Sequence, residues 1–379
     1  MKWTIESAEN WVNLFDSFKE LYLEDALQSP FRSPHFLDLI LNKEKAEGNN
    51  VLLVCGWINE KLVALLPFRK HLLLFSNIWE EEGDHTAFIY HKNLDPNQLI
   101  GAFDLILSAY PKAGFVLKNL PYWTPEVEII AKHLQNKRLC HVLESWPAPI
   151  LSGEGEVDPQ NFLKKAVNKS TIRNLGNRLS KESGYQFEIL FSEENVEEWA
   201  EEFMQKHQTR WNSTATPSEF NVESRRNYFL QKMKAWQKDG VLIRFAIKLN
   251  EERIAMCVGL TCKKRIIYHY ISHDVRYEKF SAPSVLIRLI VLWMVDKGYE
   301  ILDFGVGGEN YKYRFMNKDT KVLRLYALEK SDFRNLFKLK LDILIRENKT
   351  AGKLWNEVVN KFVRIKLRNF INKLKGKTA

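Results

Sequence analysis

The chain has 379 residues, 45% apolar and 27% charged, which is room for two domains of ordinary size and the profile of a soluble globular protein. Its formal net charge of +9 comes from one end: residues 334–379 hold 13 Lys or Arg against three acidic residues, Asp342, Glu347 and Glu357. The remainder is close to neutral, which argues against a fold that grips nucleic acid over its whole surface.

The elements follow in chain order. Helical periodicity runs over 8–24 and 35–43. Two apolar runs, 51–58 and 61–67, flank Asn59-Glu60 and read as a hairpin. Helices at 96–109 and 125–135 alternate with strands at 115–118 and 139–143. Trp146-Pro147-Ala148-Pro149 and Ser152-Gly153-Glu154-Gly155 are expected to link two halves. The second half opens with a helix at 159–181 and a strand at 186–191, followed by helices at 193–208 and 222–237. Strands at 241–249, 253–262 and 265–272 form a meander before a helix at 283–297, where Pro283 sits at a start that needs no N–H. Strands at 300–304 and 322–329 complete this half. The hairpin wording repeats: Ile-Asn-Glu-Lys-Leu-Val-Ala begins at Ile58, and Leu-Asn-Glu-Glu-Arg-Ile-Ala begins at Leu249, which suggests two copies of one fold.

The tail carries Leu354, Trp355, Val358, Val359, Phe362, Ile365, Phe370, Ile371 and Leu374 at helical spacing among its lysines. Such a helix either lies on an anionic membrane or packs its apolar stripe on the parent domain. No apolar run reaches the length of a membrane span, and the mixed opening Met1-Lys2-Trp3-Thr4-Ile5-Glu6 is unlike a secretion leader. Cys55, Cys140, Cys257 and Cys262 sit in or beside apolar runs and read as reduced core residues, so a cytoplasmic protein is expected.

The most informative stretch is Asp303-Phe304-Gly305-Val306-Gly307-Gly308-Glu309-Asn310-Tyr311-Lys312-Tyr313-Arg314-Phe315. A strand ends in an acidic residue and a glycine loop, then polar side chains converge, the usual way a site forms at a strand's carboxyl end. The plain alternative is a glycine-rich turn with a solvated charge cluster. No phosphate loop, His-Glu-x-x-His or Gly-x-Ser-x-Gly occurs, and no metal dependence is supported.

A meander, a helix and a further strand in this order resemble the GNAT acyltransferase fold. The wording resembles its CelD/BioF2-like branch, two-lobed proteins related to the FemX-type aminoacyl transferases. The matching segments are Ser170-Thr171-Ile172-Arg173-Asn174-Leu175 with Arg178, His207-Gln208-Thr209-Arg210-Trp211 and Tyr268-His269-Tyr270. Asp274 with Tyr277, Phe280-Ser281-Ala282-Pro283, and the Asp303 stretch continue the match. Ser33-Pro34-His35-Phe36-Leu37 and Ala64-Leu65-Leu66-Pro67-Phe68 do so in the first half.

The expected architecture is therefore an α/β (α+β mixed-sheet) protein of tandem GNAT-like lobes. Residues 1–148 would be a degenerate amino-terminal lobe, 149–332 the acyltransferase lobe and 333–379 a basic amphipathic tail. The resemblance implies transfer of an acyl group from acyl-CoA, as co-substrate, to an amine or hydroxyl, on a cell-envelope or polysaccharide-related acceptor such as a glycan. It also implies a carrier site at Phe280, Ser281, Ala282 and Ser284, where a helix amino terminus favours diphosphate. This loop has no glycine, and Pro283 removes a donor. One alternative is a FemX-type transfer from aminoacyl-tRNA. The other is a non-catalytic scaffold at the inner face of the membrane.

Candidate residues follow from the chemistry. Asp303 either accepts the acceptor's proton or takes N–H bonds from the Gly305–Gly308 backbone. Glu309 is the other carboxylate base, and Tyr311 stands beside the expected thioester position. Lys312 suits an oxyanion or an anionic substrate group. His207, Arg210 and Trp211 share a helical face and can act as base and clamp, or as a helix end and core filling. Arg173, with Arg178 and the lysines of 164–181, suits phosphate or a solvated face. Tyr268 and Tyr270 are expected on one strand face, since side chains alternate.

Overall fold

The structure, a computed structural model, describes residues 1–78, 83–86, 88–191, 195–212, 214 and 217–347. The apolar positions from Leu354 to Leu374 in the tail lie outside the described residues. The first half contributes β1 (Lys2–Ser7), α1 (Trp11–Leu23), α2 (Pro34–Ala46), β2 (Asn50–Ile58), β3 (Lys61–His71), β4 (Leu74–Asn77) and β5 (Ile89–Tyr90). It continues with α3 (Ile100–Ala109), β6 (Gly114–Pro121), α4 (Glu126–Leu134) and β7 (Leu139–Ser152). The second half contributes α5 (Pro159–Val167), α6 (Ser170–Leu179), β8 (Gln186–Leu190), α7 (Val196–Trp211), α8 (Glu223–Lys238), β9 (Leu242–Leu249) and β10 (Glu252–Cys262). β11 (Arg265–His273), α9 (Ala282–Asp296), β12 (Ile301–Asp303), β13 (Lys318–Leu328) and α10 (Phe333–Glu347) complete it.

One mixed sheet crosses the whole molecule in the order β1-β2-β3-β4-β6-β13-β7-β12-β11-β10-β9-β8, with β5 on β3. β13, from the carboxyl side of the chain, lies between β6 and β7. The boundary expected between residues 148 and 149 thus falls inside β7, and Trp146 to Ser152 is strand rather than linker. Both prolines point their missing N–H toward the side where β12 has ended; on that side the carbonyls of Pro147 and Pro149 accept bonds from Gly307 and Phe304. The helix expected over 159–181 breaks at Asn168–Lys169. Val167 and Ile172 are five positions apart, so a continuous helix would swing the second apolar stripe off the core.

The hairpin echo has a structural counterpart. Asn59-Glu60 and Asn250-Glu251 all take positive φ, the backbone of a two-residue hairpin turn. α1, α2, α7 and α8 cover one face and bury a core shared by both halves. Phe36 stacks on Trp236 at 4.8 Å between centroids, and the Trp236 indole N–H donates to the Pro30 carbonyl at 3.1 Å. α5, α6 and α9 cover the opposite face of the second half, and α3 and α4 pack the remaining core of the first. Among the described residues no helix is long and apolar enough to cross a membrane.

Candidate active site

β11 and β12 pair in parallel for only three residues, Arg265 with Ile301, Ile266 with Leu302 and Ile267 with Asp303. β11 then runs on to His273, while the chain after β12 moves toward β7. The Phe304 N–H reaches the Pro149 carbonyl at 3.1 Å, and the Gly307 N–H reaches that of Pro147 at 2.9 Å. The two central strands therefore separate beyond Asp303, and among the described residues β11 past Ile267 has no strand partner on that side.

Asp303 closes the narrow end of this gap. Its carboxylate accepts from Arg265 Nη1 at 2.6 Å and from the Gly305 N–H at 2.9 Å, and the Arg265 guanidinium stacks 4.7 Å from the Trp123 ring centre. Lys312 turns inward, only 3% exposed, and its ammonium donates to Val306 O at 3.0 Å and Gly305 O at 3.3 Å and pairs with Glu309 at 2.9 Å. These three contacts occupy its three donors. Glu309 itself is exposed, so its share is the donor an incoming oxygen can take over.

Above the gap, Tyr268 and Tyr311 meet at 6.4 Å between ring centroids. Burial raises both phenols well above the ordinary range and keeps them neutral donors. Burial also lowers the Arg210 guanidinium, whose electrostatic neighbours are these two tyrosines. Arg210 stacks on Trp211 at 4.8 Å, and the Trp211 ring lies 5.9 Å from that of His207. Among the described residues the buried Trp211 indole N–H has no partner. His207 shares a hydrogen with Ser218 Oγ at 2.8 Å, and burial and then Arg210 push its pKa down to about 4.

Tyr270 departs from the expected alternation. Gly259 faces Tyr268 and Val258 faces Tyr270, so His269 is an extra residue, a β-bulge. The bulge turns Tyr270 to the opposite face from Tyr268, where its hydroxyl meets Lys232 Nζ at 2.6 Å. Tyr268 lies at the gap and Tyr270 does not.

The sequence model of the acetyltransferase (GNAT) domain family matches residues 166–313, the span that contains the separated strands. The second lobe is a GNAT domain. FemX has a similar fold with a TM-score of 0.56 at 11% identity, over 89% of this chain and 99% of that one. The C-terminal domain of a lysylphosphatidylglycerol synthetase from Agrobacterium fabrum gives 0.53 at 10% identity, over 88% and 97%. The L-PGS of Bacillus licheniformis gives 0.53 at 11%, over 86% and 95%. No curated protein matches the sequence significantly. Residues 166–313 thus carry an acetyltransferase (GNAT) domain, and the two-lobed fold of the chain is shared with FemX and with the synthetase domain.

In the GNAT domain the loop before α9 is compact. Ser281 caps the helix with a left-handed backbone, φ 47°, and its carbonyl takes the N–H groups of Ser284 and Val285. Ser281 and Ser284 touch through their hydroxyls at 3.1 Å. Phe280 and Ala282 are buried, with Lys279 over the Phe280 ring at 4.8 Å. Arg173 stays exposed on α6, which packs against α9 and the turn before it. Residues 280, 281, 282 and 284 therefore sit together at a helix start with few free N–H groups. Among the described residues no cluster suited to a metal ion occurs.

Two residues outside the expected set meet beside the gap, Asp84 from the first half and His269 from β11. Asp84 accepts from His269 Nδ1 at 2.9 Å and from the Val306 N–H at 3.0 Å. Burial alone would raise its carboxyl, but the His269 charge and hydrogen bond, the Val306 N–H and Lys312 outweigh it and hold the carboxyl below its usual value. Gly305 makes room for this: at φ 69°, a Cβ there would lie 2.6 Å from the Asp84 carboxylate. His269 stood in the sequence motif between two tyrosines. Asp84, in a loop without periodicity, carried no signal at all.

Proposed function

We propose that the protein transfers an acyl group from acyl-CoA directly onto an amine or hydroxyl of a cell-envelope or polysaccharide-related acceptor, without a covalent enzyme intermediate. The observation that carries this reading is the parting of β11 and β12 beyond Ile267 and Asp303 inside a GNAT domain. The thioester would lie in that gap, with Tyr268, Tyr311 and Arg210 along it. The acceptor nitrogen or oxygen attacks the carbonyl carbon, the C–S bond breaks, and the thiol leaves with a proton. Lys312, freed from Glu309, would stabilise the oxyanion. Asp303, ion-paired to Arg265, would keep the strand end in shape rather than accept a proton.

The acceptor assignment leans on the lysylphosphatidylglycerol synthetase relative, whose name specifies a lipid product, and on α10. Phe333 and Phe337 are 79% and 68% exposed there, beside Arg334 and Lys338, a surface suited to the cytoplasmic face of an anionic membrane.

A second reading, FemX-type transfer from aminoacyl-tRNA, is favoured by the α9 start, where Pro283 has no N–H and those of Ser284 and Val285 are already taken. The exposed basic residues of α5 and α6, among them Lys164, Lys165, Arg173 and Arg178, would suit that donor. Calorimetric titration with acetyl-CoA and longer acyl-CoAs decides. Saturable binding is expected; no binding at millimolar concentration, with a salt-dependent interaction with tRNA, would replace the first reading by the second. Neither would leave a scaffold.

A further inference from the structure

We propose that Asp84 and His269 form a proton-accepting dyad, so that the first lobe completes the active site of the second. The inference rests on the transfer reading and adds the base that it lacks.

His269 is the bulged residue of β11, two positions beyond Ile267, the last residue paired with β12. Gly259 opposite the bulge has no room for a side chain, since a Cβ there would lie 2.7 Å from the Phe245 ring. Asp84 spans the split: one oxygen holds His269 on β11, and the other holds Val306 in the loop after β12. With the Nδ1 proton given to Asp84, the neutral imidazole presents its lone pair at Nε2. Among the described residues Nε2 is buried and has no partner. The ring cannot turn away easily, being held by Phe31 at 5.2 Å, Trp236 at 5.5 Å and Tyr270 at 4.2 Å between centroids.

A core histidine left with an unsatisfied nitrogen is destabilising. Here it is one of several. Both nitrogens of His85, Nε of Arg32 and the Trp123 indole N–H are also buried without partners among the described residues. His85 packs on Phe31 at 5.3 Å and on Trp123 at 5.5 Å, which joins the set to the ring beside His269. Among the described residues Arg32 bonds only to the carbonyls of Phe31 and Ile78. A set dominated by donors suits an acceptor molecule that brings oxygen atoms to this junction. In the step itself, Nε2 takes the proton from the acceptor's amine or hydroxyl as its bond to the acyl carbon forms. The C–S electrons leave with the thiolate, and the imidazolium returns the proton to it. His269 is the base, and Asp84 positions it.

The test uses the full chain with acetyl-CoA as donor and two probe acceptors. Ethanolamine is protonated at neutral pH and must give an extra proton to a base before it can attack; hydroxylamine is neutral, and its nitrogen can pass its proton straight to the departing thiolate. His269→Gln is expected to lower kcat for thiol release with ethanolamine by 100-fold or more, with acetyl-CoA affinity retained and hydroxylamine turnover largely intact. Nitrogen-15 spectra of the histidine ring are expected to show the Nδ1–H form of His269 in the wild type and a shift toward Nε2–H in Asp84→Asn. A folded His269→Gln protein that binds acetyl-CoA and keeps its ethanolamine kcat overturns the dyad. So does an Nε2–H ring in the wild type. A wild type that neither binds nor cleaves acetyl-CoA overturns the acyl-CoA reading itself, and the dyad falls with it.

Discussion

His85 shows what a single buried side chain does to stability. Burial, opposed by Asp303 and Asp84 and aided by Arg265 and Arg32, pushes its pKa down to about 4 from an ordinary 6.5. Between those values the unfolded chain binds a proton that the folded chain refuses. Stability is therefore full above about pH 6.5 and falls as the pH drops toward 4, by about 3 kcal/mol for this one fully buried group. His207 and His273, pushed to about 4 by burial, act in the same direction but are more open to solvent, so their share is smaller. Replacing His85 by Phe should flatten the dependence of unfolding free energy on pH by close to one proton between pH 6.5 and 4, measured by urea titration at several pH values. An unchanged slope would mean that His85 is hydrated in solution.

At the scale of an element, the start of α9 carries strain. Ser281 holds φ 47°, a conformation that disfavours any residue with a Cβ, and its hydroxyl caps no N–H. Ser281→Gly should stabilise the protein by about 1 kcal/mol, slightly less if the contact with Ser284 counts, read as a higher denaturant midpoint with unchanged slope. Equal or lower stability would show that the serine is favoured by something other than backbone geometry. Elements were the scale most legible in the sequence. The periodicity of 283–297 and the Asn-containing turns record local physics, so α9 and both hairpins stand where they were expected. The bulge at His269 was not legible, because it depends on which residue of β10 lies opposite. Nor was the pairing of Asp84 with His269, which are 185 positions apart.

At the scale of the molecule, the repeat in the sequence suggests separable halves, and the packing joins them. β13 fills the place between β6 and β7, so the second half donates a strand that closes the sheet of the first. Asp239, at the end of α8, accepts from the backbone N–H of His35 at 3.0 Å and contacts its ring at 2.6 Å. Trp11, Phe31 and Phe36 share one core with Trp236, Met256 and Ile267. A fragment of residues 149–332 would cut through β7, strip β13 of its partner β6, and open that core to water. It loses apolar burial at about 25 cal/mol per Å² along an entire face, more than the few kcal/mol by which such proteins are stable. The fragment is therefore expected to be insoluble or loosely packed, with dye-binding apolar surface and no cooperative transition. The full chain should unfold in one transition, with tryptophan fluorescence and far-ultraviolet circular dichroism coinciding. A fragment that melts cooperatively and still binds acetyl-CoA would show instead that the second lobe folds and holds its donor alone, and that the first is an addition to the site rather than part of its frame.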